Sequence, residues 1–163
     1  YFFNYVKQHG WHPINFFVSN IGFEEGWAEY AARLSLDSWG LNKDMMEVIF
    51  LDQEFSYLLM GLSDIGINYG GWTVDDVYDL WETYFYLDSA EDVRDVYDAC
   101  MAEPGTILSY SIGYYQICDL EEEVKEMLGE SFDHNEFVTE LLSVGGASFD
   151  ITRSYIMEWA NEK

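Results

Sequence analysis

Hydrophobic residues recur every three or four positions along most of this chain, which is the spacing of amphipathic helices. No segment alternates apolar and polar residues over a length that would predict a strand. The pattern therefore predicts an all-α fold of about seven helices. The longest apolar stripe at this spacing consists of Leu51, Phe55, Leu58, Leu59, Leu62 and Ile65.

Glycine, proline and capping residues predict where the helices begin and end. The first helix is expected from Phe23 to about Trp39–Gly40, and a long second helix from residues 41–44 to Gly66. Thr73 and Ser89 each precede acidic residues, as N-cap residues do, and are expected to begin helices. Pro104 is expected to open the next helix, because proline is tolerated in the first turn. Asp133 and Ser148 begin the last two helices. The helix after Pro104 is expected to bury Ile107, Tyr110, Tyr114 and Ile117, and the last helix carries Ile151, Tyr155 and Trp159 on one face.

The first predicted helix contains a glycine at its centre. A glycine inside a helix costs about 1 kcal/mol relative to alanine, so Gly26 requires a reason. One reason is the close approach of something bulky to the backbone beside Glu25. The apolar stripe of this helix consists of Phe23, Trp27, Ala31 and Leu34, and Glu25 lies off it. On the residues alone, Glu25 is either a surface glutamate or a ligand.

Composition and charge narrow the class of function. The 163 residues, 49% of them hydrophobic, suffice for one helical domain over residues 1–163 with a well-filled core. The formal net charge of −24 excludes an ordinary nucleic-acid binder and disfavours anionic membrane surfaces. No apolar run is long enough to insert into a membrane. We expect the acidic run at residues 119–126 to be a solvated helix face, since it lacks calcium-loop spacing.

The histidines and cysteines do not form a recognisable metal motif. His9 and His12 flank a glycine next to proline, where no helix would hold them together, and with His134 they make no HExxH pattern. Cys100 and Cys118 lack zinc-finger spacing. They are either a disulfide or buried free thiols, and the sequence leaves both possibilities open.

The sequence EGWAEY at residues 25–30 resembles the EGWAxY segment of a bacterial family known as domain of unknown function 885 (DUF885), which is grouped with the gluzincin zinc metallopeptidases. The resemblance continues through DIGINYGGWT at residues 64–73 and EPGTILSYSIGY at residues 103–114. It extends over nearly the whole chain, from residue 1 to residue 159. It implies the C-terminal part of a gluzincin-like metallopeptidase fold.

The resemblance also implies roles for individual residues. Glu25 corresponds to the third zinc ligand, and a catalytic zinc needs three protein ligands and an open position for water. Tyr110 is the candidate donor to the oxyanion, although it is equally placed to be a core tyrosine. Asn68 and Tyr69 are candidates for the lining of the substrate cleft.

The family's two histidine ligands and glutamate base precede the segment matched by residue 1. We therefore expect this chain to be a fragment of a longer protein, without the upstream half of the zinc motif, inactive by itself and unable to bind zinc tightly. The full-length protein is expected to hydrolyse peptide bonds with zinc, and the upstream N-terminal part is the fragment's expected partner. Because relatives include secreted and surface-anchored forms, we expect a bacterial protein outside the cytoplasm.

Two departures from the family pattern keep another interpretation open. The family often has Arg-Tyr where this chain has Ala99 and Cys100, and often has His after the position of Phe137, where this chain has Val138. If those residues assist catalysis in relatives, this protein lacks that help. The alternative is a non-catalytic helical binding module for cationic peptides or sugars, and a weaker one is a purely structural interaction domain.

Overall fold

The computed structural model of the protein describes residues 17–36, 40 and 42–163. In these residues there are seven α-helices and no strand, which confirms the predicted all-α class and helix number. The predicted gluzincin-like fold stays a prediction. The helices are α1 (Ile21–Ser35), α2 (Lys43–Asn68), α3 (Val74–Trp81), α4 (Arg94–Ala102), α5 (Thr106–Leu128), α6 (His134–Val144) and α7 (Phe149–Asn161), with short 3-10 turns at Ala90–Val93 and Gly129–Ser131.

Some sequence predictions fall on residues outside the described ranges. These are the metal role weighed for His9 and His12 and the helix positions Trp39 and Leu41. Among the described helices, none combines the length and the apolar character needed to cross a bilayer.

The capping residues begin the helices largely as predicted. The Thr73 hydroxyl accepts from the Asp76 N–H, and the Asp76 carboxylate accepts from the Thr73 N–H at 2.7 Å. The Asp133 carboxylate caps α6 by accepting two backbone N–H groups. The prediction for Pro104 is wrong, because α5 begins at Thr106, after Gly105 has turned the chain with a φ of +82°.

The end predicted for the first helix is also wrong. Helix α1 ends at Ser35, before the predicted Trp39–Gly40. Gly40 has a φ of +68°, which lies in the left-handed region and not in a right-handed helix. Gly40 is therefore a break in helical backbone, as predicted, and residues 37–39 lie outside the described ranges.

Tertiary contacts divide the chain into two compact units. The first contains the described residues up to Tyr30 together with Gly113–Lys163, and the second contains the described residues of Ala31–Ile112. The prediction of one helical domain over residues 1–163 stays a prediction. The core of the first unit consists of Phe23, Tyr30, Ile117, Leu120, Val124, Phe137, Leu141, Ile156 and Ala160.

The second unit has its own core around the C-terminal half of α2. Ile67, Val77, Val93 and Cys100 are buried together, and Trp72 and Trp81 are among the partly buried side chains that pack against them. The Trp81 indole N–H donates to the hydroxyl of Ser63 at 3.0 Å, so that both polar groups are paired within this core.

The apolar stripe of α2 is largely not its buried face. Of the six stripe positions, all within the described helix, Leu59 is the only one that is buried. The face that packs into the second unit instead carries Met46, Phe50 and Ile67 together with the small or polar residues Gly61, Ser63, Asp64 and Gly66. Helical periodicity was therefore correct, but the more polar side of the helix is the covered one.

Helix α7 likewise buries a face next to its apolar stripe. Of the predicted common face, Ile151 and Tyr155 are exposed. The buried positions are the adjacent Thr152, Ile156 and Ala160. The buried stripe is therefore rotated by about 100° around the helix.

Helices α1 and α5 meet main chain to main chain in the first unit. A Cβ at Gly26 would lie 2.2 Å from the carbonyl carbon of Gly113, and a Cβ at Gly113 would lie 2.1 Å from the carbonyl oxygen of Gly22. Glycine at positions 26 and 113 permits this contact, since a side chain at either position would overlap backbone atoms, and Gly22 takes part through its carbonyl group. Something does approach Gly26 closely, as predicted, but it is the backbone of α5 and not a bulky group.

We predict that Gly113→Ala lowers the free energy of unfolding by about 2–3 kcal/mol, because the new methyl group meets a carbonyl oxygen that cannot rotate away. Urea denaturation followed by far-UV circular dichroism measures the loss. The matched control is Gly61→Ala, where the nearest atom, 3.0 Å away, is the flexible end of Leu108. Since alanine is the better helix former, this control should stay within about 1 kcal/mol of wild type. Equal effects of the two substitutions would contradict the close crossing.

Candidate functional site

Glu25 is a half-buried carboxylate in the second turn of α1. Its neighbour Glu24 is exposed and accepts a hydrogen bond from the Ser19 hydroxyl at 2.8 Å. Among the described residues, none donates a hydrogen bond to Glu25 or forms an ion pair with it. A partly buried carboxylate without donors is costly, so its oxygens are suited to a cation.

Local sequence fixes the part of α1 that carries Glu25. The Asn20 side chain accepts from the Phe23 N–H at 2.9 Å and so caps the helix. The rings of Phe23 and Tyr30 are buried in the core of the first unit, one on each side of Glu25 along the helix. Gly26 adds the backbone contact with α5. Glu25 is therefore held on a rigid element.

Tyr110 lies in the second unit, in the second turn of α5. It is half-buried, and its ring centre is 5.3 Å from that of Tyr57 on α2. Ser109 and Ser111, on either side of it, are buried. A half-buried tyrosine with a packed ring and a phenol group suits a packing role as well as a hydrogen-bonding one.

A buried aspartate that the sequence analysis missed fixes the beginning of α5. Asp64 is 2% exposed. One of its oxygens accepts from the Gly105 N–H at 2.7 Å, and the other accepts from the Asn68 amide at 2.8 Å. The same amide donates to the carbonyl of Cys100 at 3.0 Å. These bonds connect the end of α2 with α4 and with the turn before α5.

The two cleft candidates at the end of α2 have different environments. The Asn68 amide nitrogen is engaged in the Asp64 network, which leaves its carbonyl oxygen for a further contact. Tyr69 is 93% exposed. Asn68, Tyr69 and Tyr110 all belong to the second unit, whereas Glu25 belongs to the first. Their roles stay predictions.

The cysteines are free thiols, which settles the question that the sequence left open. Cys100 is buried and Cys118 is half-buried. Burial, together with the charge of Asp64, raises the pKa of Cys100 to about 11. Cys100 is therefore protonated near neutral pH and unsuited to act as a nucleophile or metal ligand.

Glu121 is the centre of a polar cluster in the first unit. Its carboxylate accepts from the Tyr30 hydroxyl at 2.8 Å and lies 2.9 Å from His134 Nδ1 and 3.1 Å from Lys125 Nζ. The predicted solvated face is thus wrong at this position, because the side chain is only 12% exposed. The acidic run gave no sign that one of its members turns inward.

The cluster shifts the pKa values of its members. Burial by itself raises the pKa of Glu121, but hydrogen bonds from His134, Tyr30 and Lys125 outweigh burial and lower it overall. Burial and the hydrogen bond to the Glu121 carboxylate raise the pKa of Tyr30. The phenol therefore stays protonated and the carboxylate stays charged at neutral pH, as a structural hydrogen-bond network requires.

The described residues do not by themselves complete a metal site. Within the described ranges, no three His, Cys, Asp or Glu side chains are grouped so that they could hold one ion. Glu25 is suited to be one ligand of zinc, but the remaining ligands would have to come from residues outside those described.

Comparisons with known proteins agree with the sequence resemblance. The model of a family described as "Bacterial protein of unknown function (DUF885)" matches residues 5–156. The fold is similar to the crystal structure of the "putative lipoprotein" from Colwellia psychrerythraea, with a TM-score of 0.75 and 25% identity. The match covers 88% of this chain and 24% of that protein, so this chain spans about a quarter of its length. No curated protein matches the sequence.

The Glu121 cluster predicts how stability depends on pH. A carboxylate whose pKa is lower in the folded state stabilises the fold above its unfolded pKa of about 4.3, and the contribution is lost as pH falls through the folded pKa. Glu121→Gln should therefore cost about 1–3 kcal/mol at pH 6, and clearly less at pH 3. Urea unfolding at the two pH values measures the difference.

The control for this prediction is Glu126→Gln, a substitution of an exposed glutamate on the same helix. It should change the free energy of unfolding by less than about 0.5 kcal/mol at either pH. A cost of Glu121→Gln that is the same at pH 6 and pH 3 would contradict a lowered pKa for this carboxyl.

Proposed function

Because this chain belongs to the bacterial protein family of unknown function DUF885, we propose that it is part of a longer zinc-dependent peptidase to which Glu25 contributes one metal ligand. The observation that carries the proposal is the state of Glu25. It is half-buried, it lies on a helix fixed by backbone contact, and no described residue donates a hydrogen bond to it. A metal ion compensates such a carboxylate.

The other metal ligands and the general base would come from residues outside those described. Zinc held by three protein ligands supplies polarisation of the substrate carbonyl and activation of water. With one ligand of three, this chain alone would neither bind zinc tightly nor hydrolyse peptides. Its own contribution is to hold Glu25 in place, since a metal ligand must be oriented within about 0.5 Å by rigid surroundings.

Tyr110 is proposed to act on the substrate directly. Its hydroxyl would donate a hydrogen bond to the substrate carbonyl oxygen as that oxygen gains negative charge. The ring contact with Tyr57 and the buried Asp64 network at the start of α5 support this role, because they fix the helix turn that carries the phenol. The Asn68 carbonyl oxygen and the exposed Tyr69 ring would line the cleft for the peptide.

The proposed location is the bacterial cell surface or the exterior. The support is that the family is bacterial and that the similar structure from Colwellia psychrerythraea is described as a lipoprotein. A peptide substrate fits that location, as does the acidic composition, which keeps a protein soluble.

A helical binding module is the second candidate function. Two observations favour it: the net charge of −24, which attracts cationic peptides, and the departures from the family pattern at Ala99, Cys100 and Val138. Cys100 lies in the core of the second unit, and Val138 packs against the core of the first. Neither side chain can do the work of an arginine, tyrosine or histidine in catalysis.

The metal proposal predicts that Glu25→Gln abolishes stoichiometric zinc and peptidase activity together in the longer protein, because the amide is a much weaker ligand than the carboxylate. Zinc content by elemental analysis and hydrolysis of a peptide library measure the two effects. Glu24→Gln is the matched control, since it removes the neighbouring charge without changing Glu25, and it should retain both. Full zinc content in Glu25→Gln would end the assignment.

The proposal for Tyr110 predicts that Tyr110→Phe in the longer protein retains zinc but lowers kcat by about 10²–10³-fold, the usual cost of removing one donor to an oxyanion. Tyr57→Phe is the control, because it keeps the neighbouring ring and leaves Tyr110 in place, and its kcat should stay within about threefold of wild type. An unchanged kcat in Tyr110→Phe would reduce this residue to a packing role.

A further inference from the structure

The exposed face of α2 has the residue spacing of a helix-pairing seam. Its apolar residues follow one another at alternating intervals of three and four, which is the heptad spacing that lets one helix pack along another. The seam extends over nearly five turns of the helix, about 26 Å at 1.5 Å per residue. The seam residues are Val48, Leu51, Phe55, Leu58, Leu62 and Ile65.

All six seam residues are exposed, with between 37% and 65% of each residue accessible. Single exposed apolar residues are normal on a protein surface, but a continuous apolar stripe of this length marks an interaction site. Two aromatic residues extend it sideways, since the rings of Tyr84 and Phe85 lie 5.2 Å and 6.1 Å from that of Phe55. The apolar surface is thus broader at Phe55 than elsewhere along the stripe.

The charges along the seam specify which helix can occupy it. In a helix pair, the positions that flank the seam choose the partner through opposite charges. Here the flanks carry Asp52 and Glu54, and Lys43 is the only basic residue in α2. A second copy would place acidic flanks opposite acidic flanks, against an overall charge of −24. A helix with lysine or arginine at its flanks fits instead.

We propose that the apolar seam of α2 is a docking surface for an amphipathic helix from outside this chain, with an apolar three-four stripe and basic flanking residues. The seam residues supply the buried apolar contact, and the exposed Asp52 together with the net charge of −24 supplies the preference for a cationic partner. This inference is independent of the peptidase proposal, because it involves neither Glu25 nor zinc.

The test uses the 163-residue chain and two fluorescent synthetic helices of three heptads. Both have leucine at the seam positions, but one has lysine at the flanking positions and the other has glutamate. Fluorescence anisotropy should show micromolar binding of the lysine helix, at least tenfold weaker binding of the glutamate helix, and weaker lysine-helix binding as salt rises. Equal binding of the two helices, or binding of neither, would overturn the proposal.

Substitutions locate the binding face. Leu62→Gln and Leu58→Gln should each weaken the lysine helix at least fivefold, whereas Ile49→Gln should change it less than twofold. Ile49 is a matched control because it is exposed on the same helix, 48% against 52% for Leu62, but lies off the seam. Equal losses in Leu62→Gln and Ile49→Gln would contradict docking on the seam.

Sedimentation equilibrium of the chain alone tests the remaining alternative, in which a second copy of the chain occupies the seam. The wild-type chain should be a monomer at 50 μM and 150 mM salt, because acidic flanks repel each other. A dimer that dissociates in Leu62→Gln would show that the seam belongs to a second copy, and would overturn the choice of a basic partner.

Discussion

The contact of two helix backbones at Gly22, Gly26 and Gly113 is the constraint on which the first unit depends. Without side chains between them, α1 and α5 approach to a distance at which carbonyl groups and α-carbons touch. This approach lets Phe23 and Tyr30 enter the same core as Ile117. It also fixes the orientation of the turn that carries Glu25. The position of a candidate ligand thus follows from the absence of side chains beside it, and the entropic cost of helical glycine is offset by packing.

Helix ends were more predictable from the sequence than helix faces. Capping is local, so Thr73 and Asp133 could be recognised from the residues within one turn of them. A face is buried only if something covers it, and apolar periodicity shows which face is apolar and not which face is covered. On α2 the covered side is lined by Gly61, Ser63 and Asp64, because small residues allow close packing and polar ones find partners there. The apolar side was correctly recognised, but it faces away from the described protein.

The candidate site was predictable only where its residues stand in a short motif. Glu25 lies within a recognisable segment of one helix, and Gly26 beside it indicated a close approach, although not that the backbone of α5 makes it. The polar networks could not be predicted, since the bond from Asp64 to Gly105 joins residues 41 positions apart and the bond from Tyr30 to Glu121 joins residues 91 positions apart. Nothing in the local sequence of a carboxylate indicates a partner at that distance, and the fold alone brings them together.

The hydrogen bond from the Gly105 N–H to the Asp64 carboxylate affects which substitutions this protein can accept during evolution. Because the carboxylate holds a main-chain N–H, the anchoring of the turn does not depend on which side chains stand at Glu103 or Thr106. Substitutions at those two positions would therefore change the chemistry at the N-terminus of α5 without displacing the helix. Sequence variation beside the turn before α5 is therefore compatible with a constant position of the helix.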